Sequence, residues 1–257
     1  MRRRRRLDEL VVEKDLAPTP ERAAALILAG QIHVNGVRTD KPGTRVEVNA
    51  EIRLAGAKQY VGRGGEKLLE AVKTFGLKPA GQVCCDVGAS TGGFTDVLLQ
   101  HGAAKVYAID VGYGELAWKL RNDPRVVVME RTNARYLESL PEEVNLAAID
   151  VSFISLRLIL PAVRGWLAPQ ASIVTLIKPQ FEAERKEVPS GGVIRDAAIH
   201  HKVLASLLHW CRESDFGLRG LVRSPLKGAE GNVEFLAWFQ TGMVGSLELD
   251  EAIDSIF

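Results

Sequence analysis

Apolar positions change their period twice within the first sixty residues. Leu7, Leu10, Val11 and Leu16 fall on one side of an amphipathic stretch, as in a surface helix. Thr19-Pro20 then offers an N-cap and a first-turn proline. The spacing predicts a helix over Glu21–Ala29, and Gly30 ends it. Short β-type runs come next: Ile32–Val34, an Asn35-Gly36 hairpin turn, Val37–Thr39, a turn at Asp40–Gly43, then Val46–Val48 and Ile52–Leu54. Two helices followed by small strands predict a compact α+β module over residues 1–60. The glycine-rich segment Lys58–Lys67 reads as a linker at about 58–66. It is not a phosphate-binding P-loop, because Leu68 follows Lys67 where a serine or threonine is required.

After a helix near Lys67–Phe75 the pattern becomes a strict strand–helix alternation, which predicts a second domain over 63–257. Strands are expected at Gln82–Asp86, Lys105–Asp110, Val126–Glu130, Leu146–Asp150 and Ser172–Lys178. These are short apolar runs of the kind that parallel sheets bury on both faces. Helices are expected at Phe94–His101, Glu115–Arg121, Leu156–Leu167 and Ala197–Ser214. The last two strands, Leu218–Val222 and Val233–Phe239, have no helix between them, so the final strand must enter antiparallel. The fold class is therefore α/β, a seven-stranded Rossmann-like sheet behind a small α+β module. Residues 241–257 read as a loose tail with a short acidic helix.

Charge sharpens the division. The whole chain of 257 residues carries a net charge of only +1. Residues 1–60 hold 12 Lys and Arg against 8 Asp and Glu, whereas the remainder holds 21 against 24. A basic front module on a mildly acidic body suits a module that faces nucleic acid. Arg2–Arg6 is not followed by an apolar signal segment, and no window is long and uncharged enough to span a membrane; the most apolar, Val151–Leu167, contains Arg157 and Arg164. A soluble, cytoplasmic protein is expected. The three cysteines read as reduced and buried, and no metal is expected, because neither they nor the five histidines have ligand spacing. The histidines read as surface or capping residues.

The densest chemistry lies in Asp86-Val-Gly-Ala-Ser-Thr-Gly-Gly-Phe-Thr95, at a strand end that opens a helix. Gly88, Gly92 and Gly93 let the backbone approach a ligand, flanked by Ser90 and Thr91. A dinucleotide loop would present helix N–H groups to a pyrophosphate. Here Asp86 would repel a pyrophosphate and can hold the ammonium of a methionine moiety. Asp110 ends the second strand, where an acid can accept both hydroxyls of a ribose, and Thr132-Asn133-Ala134 is placed to meet an adenine edge. Together these favour S-adenosylmethionine over NAD.

At the neighbouring strand ends stand Asp150, in Asp150-Val-Ser-Phe, and Lys178, in Ile-Lys-Pro. Glu234 opens the last strand between apolar Val233 and Phe235, and Lys67 begins the first helix of the domain. The Asn/Asp-Pro-Pro-aromatic tetrad suited to a base amine is absent, as is a Pro-Cys nucleophile for a pyrimidine carbon. Two lysines among two acids can orient a ribose hydroxyl and take its proton. Each residue taken alone also fits a surface ion pair.

These segments, with Tyr60–Lys67, Asp110–Gly114, Leu120–Val126, Glu130–Arg135, Asp150–Ser155, Ile177–Glu182 and Gly231–Phe235, resemble the TlyA family. Its members are ribosomal-RNA cytidine 2′-O-methyltransferases once labelled haemolysins, with a catalytic domain similar to the FtsJ/RrmJ class I methyltransferases. The resemblance covers nearly the whole chain. It implies a Lys67–Asp150–Lys178–Glu234 catalytic tetrad, S-adenosylmethionine bound by Asp86, Gly88, Ser90, Thr91, Gly92, Gly93, Asp110 and Asn133, and an S4-like RNA-binding front module. In that module Leu7–Gly30 is the helical pair, and Arg2–Arg6, Arg22, Lys41 and Arg45 are candidate phosphate contacts. The implied linker tetrapeptide is Lys58–Val61, and Gly62 stands where a serine is common. The expected partners are ribosomal RNA and ribosomal subunits, with no membrane, and the protein is expected to be a monomer or weak oligomer. The substrate would be 23S rRNA, and also 16S rRNA if the first six residues and the tail after Phe239 are the short extensions of dual-specificity members. Three other readings stand beside it: a membrane-lytic protein, which needs a membrane-active segment, a non-catalytic ribosome-binding factor, which has no need of the tetrad, and an S4-fronted pseudouridine synthase, which needs no cofactor loop.

Overall fold

The computed structural model describes residues 4–14, 16–55, 59–242 and 247–257. Arg2 and Arg3 of the predicted phosphate contacts, and Lys58 of the linker tetrapeptide, lie outside the described residues. The chain divides into two compact units, Met1–Gln59 and Tyr60–Phe257.

In the first unit, β1 (Arg4–Arg6) runs into α1 (Leu7–Glu13) and α2 (Pro20–Leu28). Then come β2 (Ile32–Val34), β3 (Val37–Thr39), β4 (Arg45–Glu47) and β5 (Ile52–Leu54). Thr19 caps α2 by accepting from the Arg22 N–H at 3.2 Å. Asn35 and Gly36 both take positive φ, as a tight hairpin turn demands. Leu7, Leu10, Val11, Ala23, Ile27, Ile32 and Ile52 form its core. The sequence suggests that the arginine run is a terminal extension, but Arg4–Arg6 is a strand paired antiparallel with Arg45–Glu47. Its charge is offset locally, Arg5 against Glu9 and Glu13, and Arg6 against Asp8 at 2.6 Å.

The second unit is built on seven strands: β6 (Val83–Val87), β7 (Lys105–Ile109), β8 (Val126–Met129), β9 (Val144–Ile149), β10 (Leu167–Ile177), β11 (Phe216–Arg223) and β12 (Phe235–Thr241). They lie in the order β11-β12-β10-β9-β6-β7-β8. β12 alone runs opposite to the other six strands, antiparallel to β10 on one side and β11 on the other. The helices are α3 (Gly64–Thr74), α4 (Gly93–Gln100), α5 (Trp118–Arg121), α6 (Leu156–Arg164), α7 (Pro179–Glu182), α8 (Ala197–Glu213) and α9 (Leu249–Asp254). Two apolar clusters cover the sheet. One is centred on Tyr107, Leu160, Ile173 and Phe239, the other on Leu68, Val97, Leu98 and Leu236.

The order places the site. From β6 the chain winds outward through β7 and β8, then returns to the other side of β6 as β9. That reversal opens a crevice at the carboxyl ends of β6 and β9. Because β12 is antiparallel, its start meets the same edge at which the other strands end.

Four expectations are corrected here. Lys67 does not begin α3; the helix starts at Gly64, so the linker reading of 64–66 does not hold. The helix expected at Glu115–Arg121 shrinks to α5, four residues long. Glu234 precedes β12 and is not part of it. His200 is buried, with Nε2 3.1 Å from the Ile194 carbonyl oxygen, and is not a surface residue.

Candidate active site

The loop after β6 folds around Asp86. This carboxylate is fully buried, and its Oδ2 accepts from the Thr95 N–H at 2.8 Å and the Thr95 hydroxyl at 2.7 Å. The first-turn N–H of α4 that would face a pyrophosphate is thus already taken. Asp86 Oδ1 is buried and has no partner. Burial pushes the carboxyl up to about 7, against the pull of the two Thr95 hydrogen bonds. Beside it is a cavity of about 120 Å³ bounded by Gly64, Gly88, Thr91, Gly93 and Asp150. An acid with an idle oxygen at such a cavity is suited to a cation.

Gly88 cannot be replaced by a larger residue. Its φ is +85°, and a Cβ there would sit 2.3 Å from the Asp150 carbonyl oxygen. Gly62 has a related constraint: a Cβ would lie 2.7 Å from Thr91 Oγ1, so the missing serine leaves room for the loop threonine. Gly92, at φ +93°, provides the left-handed turn into α4.

Asp110 follows β7 and orders the rim. Its Oδ2 accepts from the Ser90 N–H at 2.8 Å and its Oδ1 from the Gly112 N–H at 2.7 Å. Asn133 accepts from the Arg135 N–H at 3.1 Å, which starts a single 3-10 turn. Asp110, Thr132, Asn133 and Ala134 line a cavity of about 520 Å³ with Val87 and Ile159 at its apolar side. Its size and mixed lining suit a nucleoside. Ser90 and Asp150 line both this cavity and the next, so the two adjoin.

The adjoining cavity, of about 660 Å³, is lined by all four tetrad candidates. They form two pairs. Lys67 Nζ donates to Glu234 Oε2 at 2.5 Å, with both side chains buried. Lys178 Nζ lies 2.6 Å from Asp150 Oδ1 and donates to Ser152 Oγ at 2.8 Å. The Lys178–Asp150 contact is a close ion pair between two largely buried side chains. Lysines and acids cancel in charge, so the cavity is polar without a net field. Such pairs do little for stability, and breaking one strands a buried charge.

Comparison with known proteins shows the family. Residues 60–241 match the FtsJ-like methyltransferase family, and residues 5–52 match the S4 domain. The chain is 44% identical over 94% of its length to the 16S/23S rRNA (cytidine-2′-O)-methyltransferase TlyA of Mycobacterium tuberculosis, covering 91% of that protein. It is also 44% identical to Hemolysin A of Brachyspira hyodysenteriae, over 91% of this chain and 99% of that one. A solved structure from Streptococcus thermophilus that carries the hemolysin name superposes with a TM-score of 0.73 at 41% identity, covering 99% of this chain and 96% of its own. The chain belongs to the TlyA family of FtsJ-like methyltransferases. The hemolysin label has no membrane-spanning counterpart here: among the described residues no helix is long and apolar enough to cross a bilayer.

In the S4 unit of this TlyA-family chain, Arg4, Arg22, Lys41 and Arg45 are exposed, and Arg4 and Arg45 line one open groove with Glu47. Arg6 is also exposed, and its side chain is tied to Asp8 through two hydrogen bonds of 3.0 and 2.6 Å. In the FtsJ-like unit, sequence reasoning passed over three residues at the site. Ser152 holds the Lys178 amine. Phe153 is 90% exposed at the cavity rim, with φ +62°. Asn232 accepts from the Ile194 N–H at 3.0 Å and donates to the Gly192 carbonyl at 2.9 Å, which fixes the segment leading to Glu234. Ser152 and Phe153 stand inside the Asp150-Val-Ser-Phe motif. Asn232 carried only its place two residues before Glu234.

Proposed function

We propose that this protein transfers a methyl group from S-adenosylmethionine to the 2′-hydroxyl of a cytidine in ribosomal RNA, acting on 23S rRNA and on 16S rRNA. The observation that carries the reading is the joining of two cavities at Asp150 and Ser90, one suited to a nucleoside cofactor and one walled by two lysine–acid pairs. The residue types support the cofactor. Asp86 offers an idle buried carboxylate oxygen for the ammonium, Gly88 a backbone with no room for a side chain, and Asp110 an acid in the lining of the nucleoside-sized cavity. Gly92, Gly93, Thr91 and Asn133 complete the cradle. When bound, the cofactor supplies an electrophilic methyl group on a sulfonium.

The protein's own part is orientation and proton transfer. Ser152 and Asp150 fix the Lys178 side chain, and Lys178 in its neutral amine form orients the ribose hydroxyl and accepts its proton, becoming the ammonium that pairs with Asp150, as the oxygen takes the methyl. Glu234 holds Lys67 across the same cavity, so the Lys67 ammonium faces the oxygen as it becomes electron-rich. In the S4 unit Arg4, Arg6, Arg22, Lys41 and Arg45 contact phosphates and set register without reading sequence. Work on ribosomal RNA puts the protein in the cytoplasm. An RNA carrying a 2′-deoxycytidine at the target tests the reading: methyl transfer should vanish while binding persists, and transfer to the base of that RNA would overturn it.

A further inference from the structure

The loop after β9 and the loop after β10 are joined side chain by side chain. Lys178 meets Asp150 and Ser152, as described. Phe181 packs on Phe153 with ring centroids 5.0 Å apart. Glu182 then closes the series, accepting from the Ser155 hydroxyl at 2.6 Å and the Leu156 N–H at 2.7 Å. Both of its carboxylate oxygens are spent on the opposite loop. We propose that Glu182 is a positioning residue that holds the Lys178–Asp150 pair in register, an inference that rests on the methyl-transfer reading above for its catalytic meaning.

The need for an anchor follows from what lies between. Lys178 precedes Pro179, which restrains its backbone to an extended form, at φ −112° and ψ 100°. Its side chain keeps four torsions, and α7 is a single turn of four residues that cannot hold itself in water. On the other loop, Phe153 sits at φ +62°, a conformation that a bulky residue keeps only when its surroundings impose it. Glu182 imposes it from beyond the strained residue, at the N-terminus of the nine-residue α6, whose cap Ser155 also accepts from the Arg157 N–H. An ionised carboxylate there is favoured by the helix end and two donors, and opposed by burial, which raises its pKa. A glutamine has one acceptor oxygen and could not accept from both the Ser155 hydroxyl and the Leu156 N–H as Glu182 does.

The test uses the full chain and two readouts. In Glu182→Gln, acylation of the Lys178 amine by a water-soluble ester, followed by mass spectrometry, should speed up about tenfold while Lys67 reacts at its wild-type rate. Rate constants for rRNA methylation should fall about tenfold in kcat with KM for the cofactor unchanged. Ser155→Ala should give the same pattern, and the double variant should lose no more than either alone. Labelling of Lys178 at the wild-type rate, or of Lys178 and Lys67 rising together, overturns the inference. A wild-type protein that methylates no RNA would overturn the proposed function instead, and the labelling would still decide the role of Glu182.

Discussion

Ile177 of β10 lies opposite Phe235 of β12, and that register sets Lys178 and Glu234 at the same sheet edge. One of these residues leaves a parallel strand and the other enters an antiparallel one. The site thus depends on the reversed last strand as much as on the glycine loop. Two ion pairs are assembled from four elements that are distant in sequence, Lys67 and Glu234 being 167 residues apart.

Removal of the proposed proton acceptor should separate chemistry from binding. Lys178→Ala should lower kcat about a thousandfold, the usual scale for a lost acid–base group. Cofactor affinity measured by calorimetry should stay within about threefold. Methylation at the wild-type rate would remove Lys178 from the mechanism.

The buried Lys67–Glu234 pair makes a stability prediction of its own. Glu234→Ala strands a buried ammonium and should cost about 3–5 kcal/mol in denaturant unfolding. The double variant Lys67→Met/Glu234→Leu should recover most of that stability and none of the activity. Recovery of activity would mean that the pair serves only packing.

Asp86 predicts a pH dependence. Its carboxyl titrates at about 7 in the folded protein, raised chiefly by burial. A raised acid favours the cofactor-free fold at low pH, and that contribution is lost as pH rises from the unfolded value near 4 through about 7. Cofactor binding has the opposite sign, because an ammonium needs the ionised form. Affinity should therefore be about tenfold weaker at pH 6 than on the plateau above pH 8. In Asp86→Asn the slope should disappear; a slope that survives would assign the titration elsewhere.

Much of this site was legible in the sequence because parallel strands deliver their carboxyl ends to one edge. Asp86, Asp110, Asp150 and Lys178 could each be located by finding where an apolar run stopped. Glu234 was legible for a different reason, an acid between two apolar residues. The strand Arg4–Arg6 was not legible, since five consecutive arginines carry no alternation and the pairing partner is forty residues away. The start of α3 at Gly64 was hidden by glycine's poor helix propensity. The structure shows what overrides it: a Cβ at Gly93 would lie 2.9 Å from the Gly65 nitrogen, so the glycines let α3 and the glycine-rich loop after β6 touch. The burial of His200 rests on Phe235, 35 residues on, whose ring meets it edge-on at 5.9 Å. The contacts of Glu182 cross between two loops and leave no periodic trace.

Gly88→Ala should be severe although it adds only one methyl. The left-handed backbone and the contact with the Asp150 carbonyl should together cost about 2 kcal/mol or more, and cofactor binding should be lost. Thermal unfolding with and without S-adenosylmethionine checks this. A normal ligand-induced rise in Tm would show that the loop does not meet the cofactor closely.

In the S4 unit, Arg4→Ala and Arg45→Ala should weaken RNA binding about equally for any sequence. Each should reduce the slope of log affinity against log salt by about one, the signature of a lost phosphate contact. A change in sequence preference with no change in slope would assign these residues to base reading.

The most direct test is to incubate the protein with radiolabelled S-adenosylmethionine and separated ribosomal subunits that lack the modification, then map the products. The expected result is label on a cytidine 2′-oxygen of 23S rRNA and on one of 16S rRNA, absent with Lys178→Ala. Label on a base, or on neither rRNA while the cofactor binds, would contradict it.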